Sequence, residues 1–392
     1  MNEVVILGSA RTPIGAFQGA LSSVPAPRLA SVALQAAAAH AQAHAFEITD
    51  VLLGNVLSAG LGQAPARQAA LQAGLPPSVR CTTINKVCGS AMEAVVLGAR
   101  ALLTGDASLV AAGGMENMSQ VPYLLTKARD GFRLGHQSCI DSLVHDGLWD
   151  PYGNVHMGSC AERCAEKYGF TREQQDAFAI ESFRRANGAQ KAGLFAAEIA
   201  PVEVPGRKGA AVRIDQDEGP ARVNYDKIPS LRPAFEPNGT ITPANASTLN
   251  DGAAVLLLST AASARERGLV PQARLVSWAS HAAEPGWFTT APAAAARLAL
   301  ERAKWTVDEV DLWEINEAFA VVPLAFMREL GVSHDRLNLR GGAIALGHPI
   351  GASGARILVT LLGALREIGK RRGVAAICIG GGEALAICLE RL

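Results

Sequence analysis

A chain of 392 residues has material for a large core and two or three subdomains, and its 49% hydrophobic against 18% charged residues excludes a disordered polymer. Lys and Arg (36) balance Asp and Glu (36) with no dense basic block, which argues against nucleic acid or an anionic membrane as the main partner. Seven scattered cysteines, an N-terminus that runs straight into Glu3-Val4-Val5-Ile6, and no apolar run read as long enough to span a bilayer lead to the expectation of a soluble, cytoplasmic protein with reduced thiols.

In chain order, the pattern predicts a strand over 4–7, a loop over 10–17, an Ala-rich helix over 28–43, a strand over 51–56, a helix over 65–73 and a strand over 81–84. A helix then runs to 103, and 108–114 reads as a buried strand ending in glycines. This alternation predicts a mostly parallel sheet with helices on its faces. From 115 to about 250 it breaks down into polar, Pro- and Gly-containing pieces, with surface turns at 133–136 and 149–152, around one helical region over 159–190. Sheet-like order resumes over 253–258. Strands follow over 273–280, 311–315, 374–379 and 384–389, with helices over 293–303, 317–329 and 351–368.

The two halves echo each other, since Val110-Ala111-Ala112-Gly113-Gly114-Met115-Glu116 resembles Ile377-Cys378-Ile379-Gly380-Gly381-Gly382-Glu383. A duplicated core with an insertion follows from this. The expected boundaries are 1–118 with 250–270 for the first half, 119–249 for the insertion, and 271–392 for the second half.

Four stretches carry chemistry. Cys88 falls at a strand-to-helix turn, where unpaired N–H groups and the helix dipole favour a thiolate, although a lone cysteine is more often a buried core residue. Asn316 sits at another strand–helix junction, a position also suited to helix capping. His348 lies in the glycine-dense run Gly341 to Gly354, which suggests a backbone passing close to a ligand. Cys378 ends a strand before Gly380-Gly381-Gly382, a turn whose freed amides suit an oxyanion. Cys160 and Cys164, four apart without a second ligand pair, do not suggest zinc.

Together these stretches resemble the thiolase family, in its biosynthetic acetyl-CoA acetyltransferase type, over nearly the whole chain. Ala10-Arg11-Thr12-Pro13, His156-Met157-Gly158, Leu231-Arg232-Pro233-Ala234-Phe235, Asn245-Ala246-Ser247 and Asn250-Asp251-Gly252-Ala253-Ala254 extend the likeness. The resemblance implies an α/β thiolase fold, a duplicated five-layer αβαβα core with an inserted loop domain that binds coenzyme A and takes part in oligomerisation. It implies acetyl-CoA and acetoacetyl-CoA as partners, with coenzyme A thioesters as substrates and no metal or redox cofactor.

By the same resemblance Cys88 is the nucleophile, His348 its base, and Cys378 the base for an α-proton. His348 and a water held by Asn316 form one oxyanion hole, and the N–H groups of Cys88 and Gly380 a second. Leu148, His156, Met157, Phe235, Pro243, Ser247, Ala318 and Phe319 match positions along the pantetheine channel, and Arg222 is the candidate for the nucleotide. A homotetramer, held partly by 121–133, is expected. Alternatives are a degradative 3-ketoacyl-CoA thiolase of broader chain length, a decarboxylating ketoacyl synthase, and a non-catalytic binding relative. Ala91, Glu93, Thr248, Phe288, Thr289, Ala291 and Glu383 depart from the family pattern, as does Pro243.

Overall fold

Every residue of Val4–Arg11 is buried, so this first strand, β1, is covered on both faces rather than on alternate residues. The computed structural model describes residues 3–206 and 210–392. The N-terminal half continues with α1 (Ala26–His40), β2 (Asp50–Gly54), α2 (Pro65–Gln72), β3 (Arg80–Ile84), α3 (Ser90–Thr104) and β4 (Leu109–Asn117). An insertion carrying α4 (Met157–Tyr168) and α5 (Arg172–Lys191) precedes its last strand, β5 (Asn250–Thr260). The C-terminal half comprises β6 (Ala273–Ala282), α6 (Ala291–Ala303), β7 (Leu312–Ile315), α7 (Val321–Leu330), α8 (Ser353–Glu367), β8 (Arg372–Ile379) and β9 (Glu383–Arg391).

The long strands run in the order β7-β8-β9-β6-β1-β5-β4-β2-β3. Divided between β6 and β1, the two parts have one plan. In the first, β3, β2 and β4 are parallel, and β5 and β1 follow antiparallel. In the second, β7 and β8 are parallel, β9 and β6 follow antiparallel, and a parallel bridge from Trp313 to Leu337 takes the fifth place. The mostly parallel sheet predicted from the alternation is therefore corrected to a mixed one. Crossover helices stop after β4 and β8, and the next strand folds back beside its predecessor, which fixes the antiparallel sense.

The helices form three layers around the two parts of this sheet. α3 and α8 pack against each other and share one apolar cluster with strands of both halves. α1 and α2 cover the outer face of the first half, and α6 and α7, joined by α4 and α5, that of the second. The αβαβα layering follows. Val87–Thr104, at mean hydropathy 1.4, reaches spanning length by composition, against the sequence expectation, and that apolarity suits a helix lying between two sheets.

Three boundaries differ from those predicted for physical reasons. The region 159–190 is two helices, broken where Gly169 takes φ 64° and restarted by a capping box on Thr171. α7 starts at Val321, because Ala246 bridges to Phe319 and Asn245 accepts from Ala320 N–H, which holds the preceding residues extended. Gly113 and Gly114 lie inside β4, where a Cβ would stand 2.0 Å from Ala254 O and 1.9 Å from Gly351 O. The two sequence echoes thus share composition but not conformation.

Candidate active site

Cys88 is delivered by β3 into a turn where Val87 takes φ 46°, a left-handed value that a β-branched residue rarely adopts. Its neighbours hold it there. Asn85 Oδ1 accepts from Val87 N–H at 3.0 Å, and Ser90 Oγ accepts from Lys86 N–H at 2.8 Å while donating to Val87 O at 2.6 Å. The backbone N–H groups of Gly380 and of Cys88 itself favour the charged form of the sulfur. Burial outweighs both and pushes the thiol up to about 11, which corrects the expectation of a resting thiolate at the helix N-terminus.

Cys378, at the end of β8, is buried and close enough for a charge on Cys88 to raise its pKa further. Asn316 lies one strand away and donates its N–H to Ala376 O at 3.0 Å. Both side-chain amide atoms of Asn316 are buried without a partner. His348 Nδ1 is 2.6 Å from Ser353 Oγ, and its Nε2 is likewise buried and unpartnered. Burial, with the Arg356 charge behind it, lowers the imidazole to about 3. Ile350, two residues on, packs in the same small apolar cluster as Cys88.

Buried polar groups are normally paired, so each of these three unpaired atoms is open to a polar partner that the chain does not supply. Two thiols, a neutral imidazole and an amide can carry an acyl group, move a proton and hold an oxyanion.

The candidate coenzyme A residues fall into one group with two outliers. His156 stacks on Phe235 at 4.7 Å, and Phe235 and Phe288 each meet Phe319 edge-on, at 5.9 and 6.3 Å. Ser247 N–H donates to Ala318 O at 2.9 Å. Met157 N–H donates to Leu148 O, Leu148 packs with Cys88, and the Met157 methyl would lie 3.6 Å from a Cβ at Gly380. Leu148, His156, Met157, Phe235, Ser247, Ala318 and Phe319 therefore form a continuous wall ending at the cysteines. Pro243 is exposed, and Arg222 is exposed and paired with Glu218 at 3.4 Å.

The glycines around His348 serve the protein's own buried groups rather than a ligand. A Cβ at Gly342 would stand 2.3 Å from Glu317 Cδ, at Gly347 2.3 Å from Asn250 Cγ, and at Gly351 2.5 Å from Glu116 Oε2. Glu116, missed by the sequence reading, accepts from Val56 and Gly351 N–H at 3.0 and 2.9 Å and joins the two halves behind Cys88. Its signal was one acid in an apolar strand. Glu383, a departure from the family pattern, pairs with Lys86 and so links the two cysteine turns, and Glu93 faces Arg100 at 3.9 Å.

Family models for the thiolase N-terminal and C-terminal domains match residues 4–262 and 269–391. Acetyl-CoA acetyltransferase 2 of Arabidopsis thaliana is 50% identical over 392 residues, covering 100% of this chain and 97% of that protein. The acetyl-CoA acetyltransferase of Cupriavidus necator is 49% identical, covering 100% of both chains. Among solved structures, the Bacillus anthracis acetyl-CoA acetyltransferase superimposes with a TM-score of 0.97 at 39% identity, covering 100% of this chain and 99% of that one. An Ascaris suum thiolase in complex with coenzyme A superimposes at 0.95 with 45% identity, covering 100% of both. With both domain models matched in sequence order and the same fold found in solved relatives, the chain belongs to the thiolase family, in its acetyl-CoA acetyltransferase type, and is an acyltransferase enzyme.

Proposed function

We propose that the protein condenses two acetyl-CoA to acetoacetyl-CoA and coenzyme A, and runs the reverse thiolysis, through an acetyl group carried on Cys88. The observation that carries this reading is that Cys88 and Cys378 lie close enough for the charge of one to act on the other, while the amide of Asn316 and Nε2 of His348 are buried without a partner. His348, neutral in its buried position, takes the Cys88 proton as the sulfur attacks the thioester carbonyl, and Cys378 gives its own thiol proton to the departing coenzyme A sulfur, which leaves Cys378 a thiolate. The tetrahedral oxyanion lies against the N–H groups of Cys88 and Gly380.

In the second half-reaction the Cys378 thiolate takes an α-proton from a second acetyl-CoA. The enolate oxygen that develops is stabilised by the protonated His348 and by a water on Asn316, the enolate carbon attacks the acetyl group, and the departing Cys88 sulfur regains its proton from His348. The aromatic wall from His156 to Phe319 is the proposed pantetheine channel, and the Ascaris suum relative, solved in complex with coenzyme A, supports coenzyme A as the ligand. Phe288, buried edge-on to Phe319, fills space beside the channel and favours a short acyl chain over the degradative alternative.

Thiolysis rates across acetoacetyl-CoA and longer 3-ketoacyl-CoAs, for the wild type and Cys88→Ser, test both parts. Acetoacetyl-CoA is expected to be the best substrate and Cys88→Ser to form no acyl-enzyme. Equal or faster cleavage of long chains, or wild-type turnover by Cys88→Ser, would overturn the reading. The assembly proposed is a homotetramer, with the exposed apolar side chains Tyr123, Leu125, Phe132 and Leu134 supplying part of its contact.

A further inference from the structure

Glu314 and Arg356 form an ion pair at 3.7 Å with both side chains only 2% exposed. Nothing in the roles assigned above uses them. The pair is poorly satisfied, since Nε, Nη1 and Nη2 of Arg356 and Oε2 of Glu314 have no hydrogen-bond partner. A guanidinium stays charged in a protein, and its burial with so few partners is costly when structure alone is served.

Where the pair sits is informative. Glu314 is on β7, two residues before Asn316, and alternation along an extended chain puts them on one face. Arg356 is on α8, three residues after Ser353, and that spacing puts those two on one face of the helix. Ser353 Oγ holds His348 Nδ1 at 2.6 Å. A chain of neighbours therefore runs from His348 through Ser353 and Arg356 to Glu314 and Asn316. It crosses from the central helix layer to the sheet, and its two ends are the unpartnered groups of the candidate active site.

We propose that Glu314 and Arg356 are positioning residues, which clamp α8 to β7 and so fix the separation between His348 Nε2 and the Asn316 amide. The proposal rests on the oxyanion role given to those two groups above. An oxyanion hole works only when its donors are held where the charge develops, so a loosened clamp lowers turnover while leaving the stacked His156 and Phe235 of the coenzyme A wall in place. The Arg356 charge also disfavours the imidazolium form of His348.

Removing one partner would strand a buried charge, so the pair is replaced together, as Glu314→Leu with Arg356→Met, a change that buried pairs commonly tolerate in stability. The readouts are the thermal melt and steady-state thiolysis of acetoacetyl-CoA beside the wild type. A variant that melts like the wild type is expected to show kcat reduced about 10- to 100-fold and KM changed by less than about 2-fold. A folded variant with kcat within about 2-fold of wild type would overturn the proposal. If the double variant does not fold, the neutral polar pair Glu314→Gln with Arg356→Gln decides by the same kcat and KM split. A wild type without thiolysis would instead refute the proposed function, so the two failures are distinguishable.

Discussion

At rest Cys88 is a thiol and His348 a neutral imidazole, because burial moves one up to about 11 and the other down to about 3. A base whose folded value lies near 3 is unprotonated, and able to accept a proton, at any pH above that value. A thiol near 11 remains protonated below it. The acylation half-reaction is therefore expected to be flat from about pH 5 to 9, where an ordinary imidazole would impose a break near 6.5. Release of coenzyme A on mixing with acetyl-CoA, followed across that range, checks this, and a break near 6.5 that disappears in His348→Asn would refute it. That substitution itself is expected to cost about 10²- to 10⁴-fold in kcat/KM. The four chemical stretches were legible because glycines, cysteines and a lone histidine punctuate apolar runs. Glu116, Glu314 and Arg356 were not, since their partners lie in other elements and only the fold brings them together.

At the scale of the element, the strand-to-helix turn around Cys88 stores backbone strain that Ser90 and Asn85 restrain. A residue held at φ 46° costs on the order of 1–3 kcal/mol. Ser90→Ala removes the acceptor of Lys86 N–H and the donor to Val87 O, and leaves the peptide free to relax. It is expected to destabilise the protein by about 1–3 kcal/mol in urea unfolding, the cost of buried groups left unpaired. Acylation by acetyl-CoA should slow in parallel, as the Cys88 sulfur drifts from Gly380 N–H. Unchanged acylation with the stability loss would show that the turn is held by other contacts. Periodicity located nearly every core element, but it carries no strand direction. The predicted parallel sheet failed at β5 and β9, where the decisive facts are a long insertion and a glycine turn. The helix start at 317 failed because the pattern is blind to the pairing of 245–247 with 318–320.

Across the whole molecule, the site is made by superposing two copies of one plan. Cys88 and His348 precede the paired central helices α3 and α8, and Glu116 and Cys378 sit at the ends of the equivalent strands β4 and β8. In the second copy β8 turns into β9 through Gly380, Gly381 and Gly382, whereas the first copy places residues 118–249 at the same junction. The insertion thereby returns His156, Phe235 and Ser247 to the mouth of the cysteine site while carrying an apolar surface elsewhere. Tyr123 is 67% and Leu134 96% exposed, which a protein in water tolerates poorly unless another surface covers them. In the proposed tetramer these side chains are buried between copies. Tyr123→Asp combined with Leu134→Asp should therefore lower the mass measured by light scattering below that of four 40.8 kDa chains, toward a dimer, while turnover per chain stays within about 2-fold. A double variant that keeps the wild-type mass would show that this segment does not hold the assembly, and one that dissociates with lost turnover would show that the insertion transmits the contact to the site.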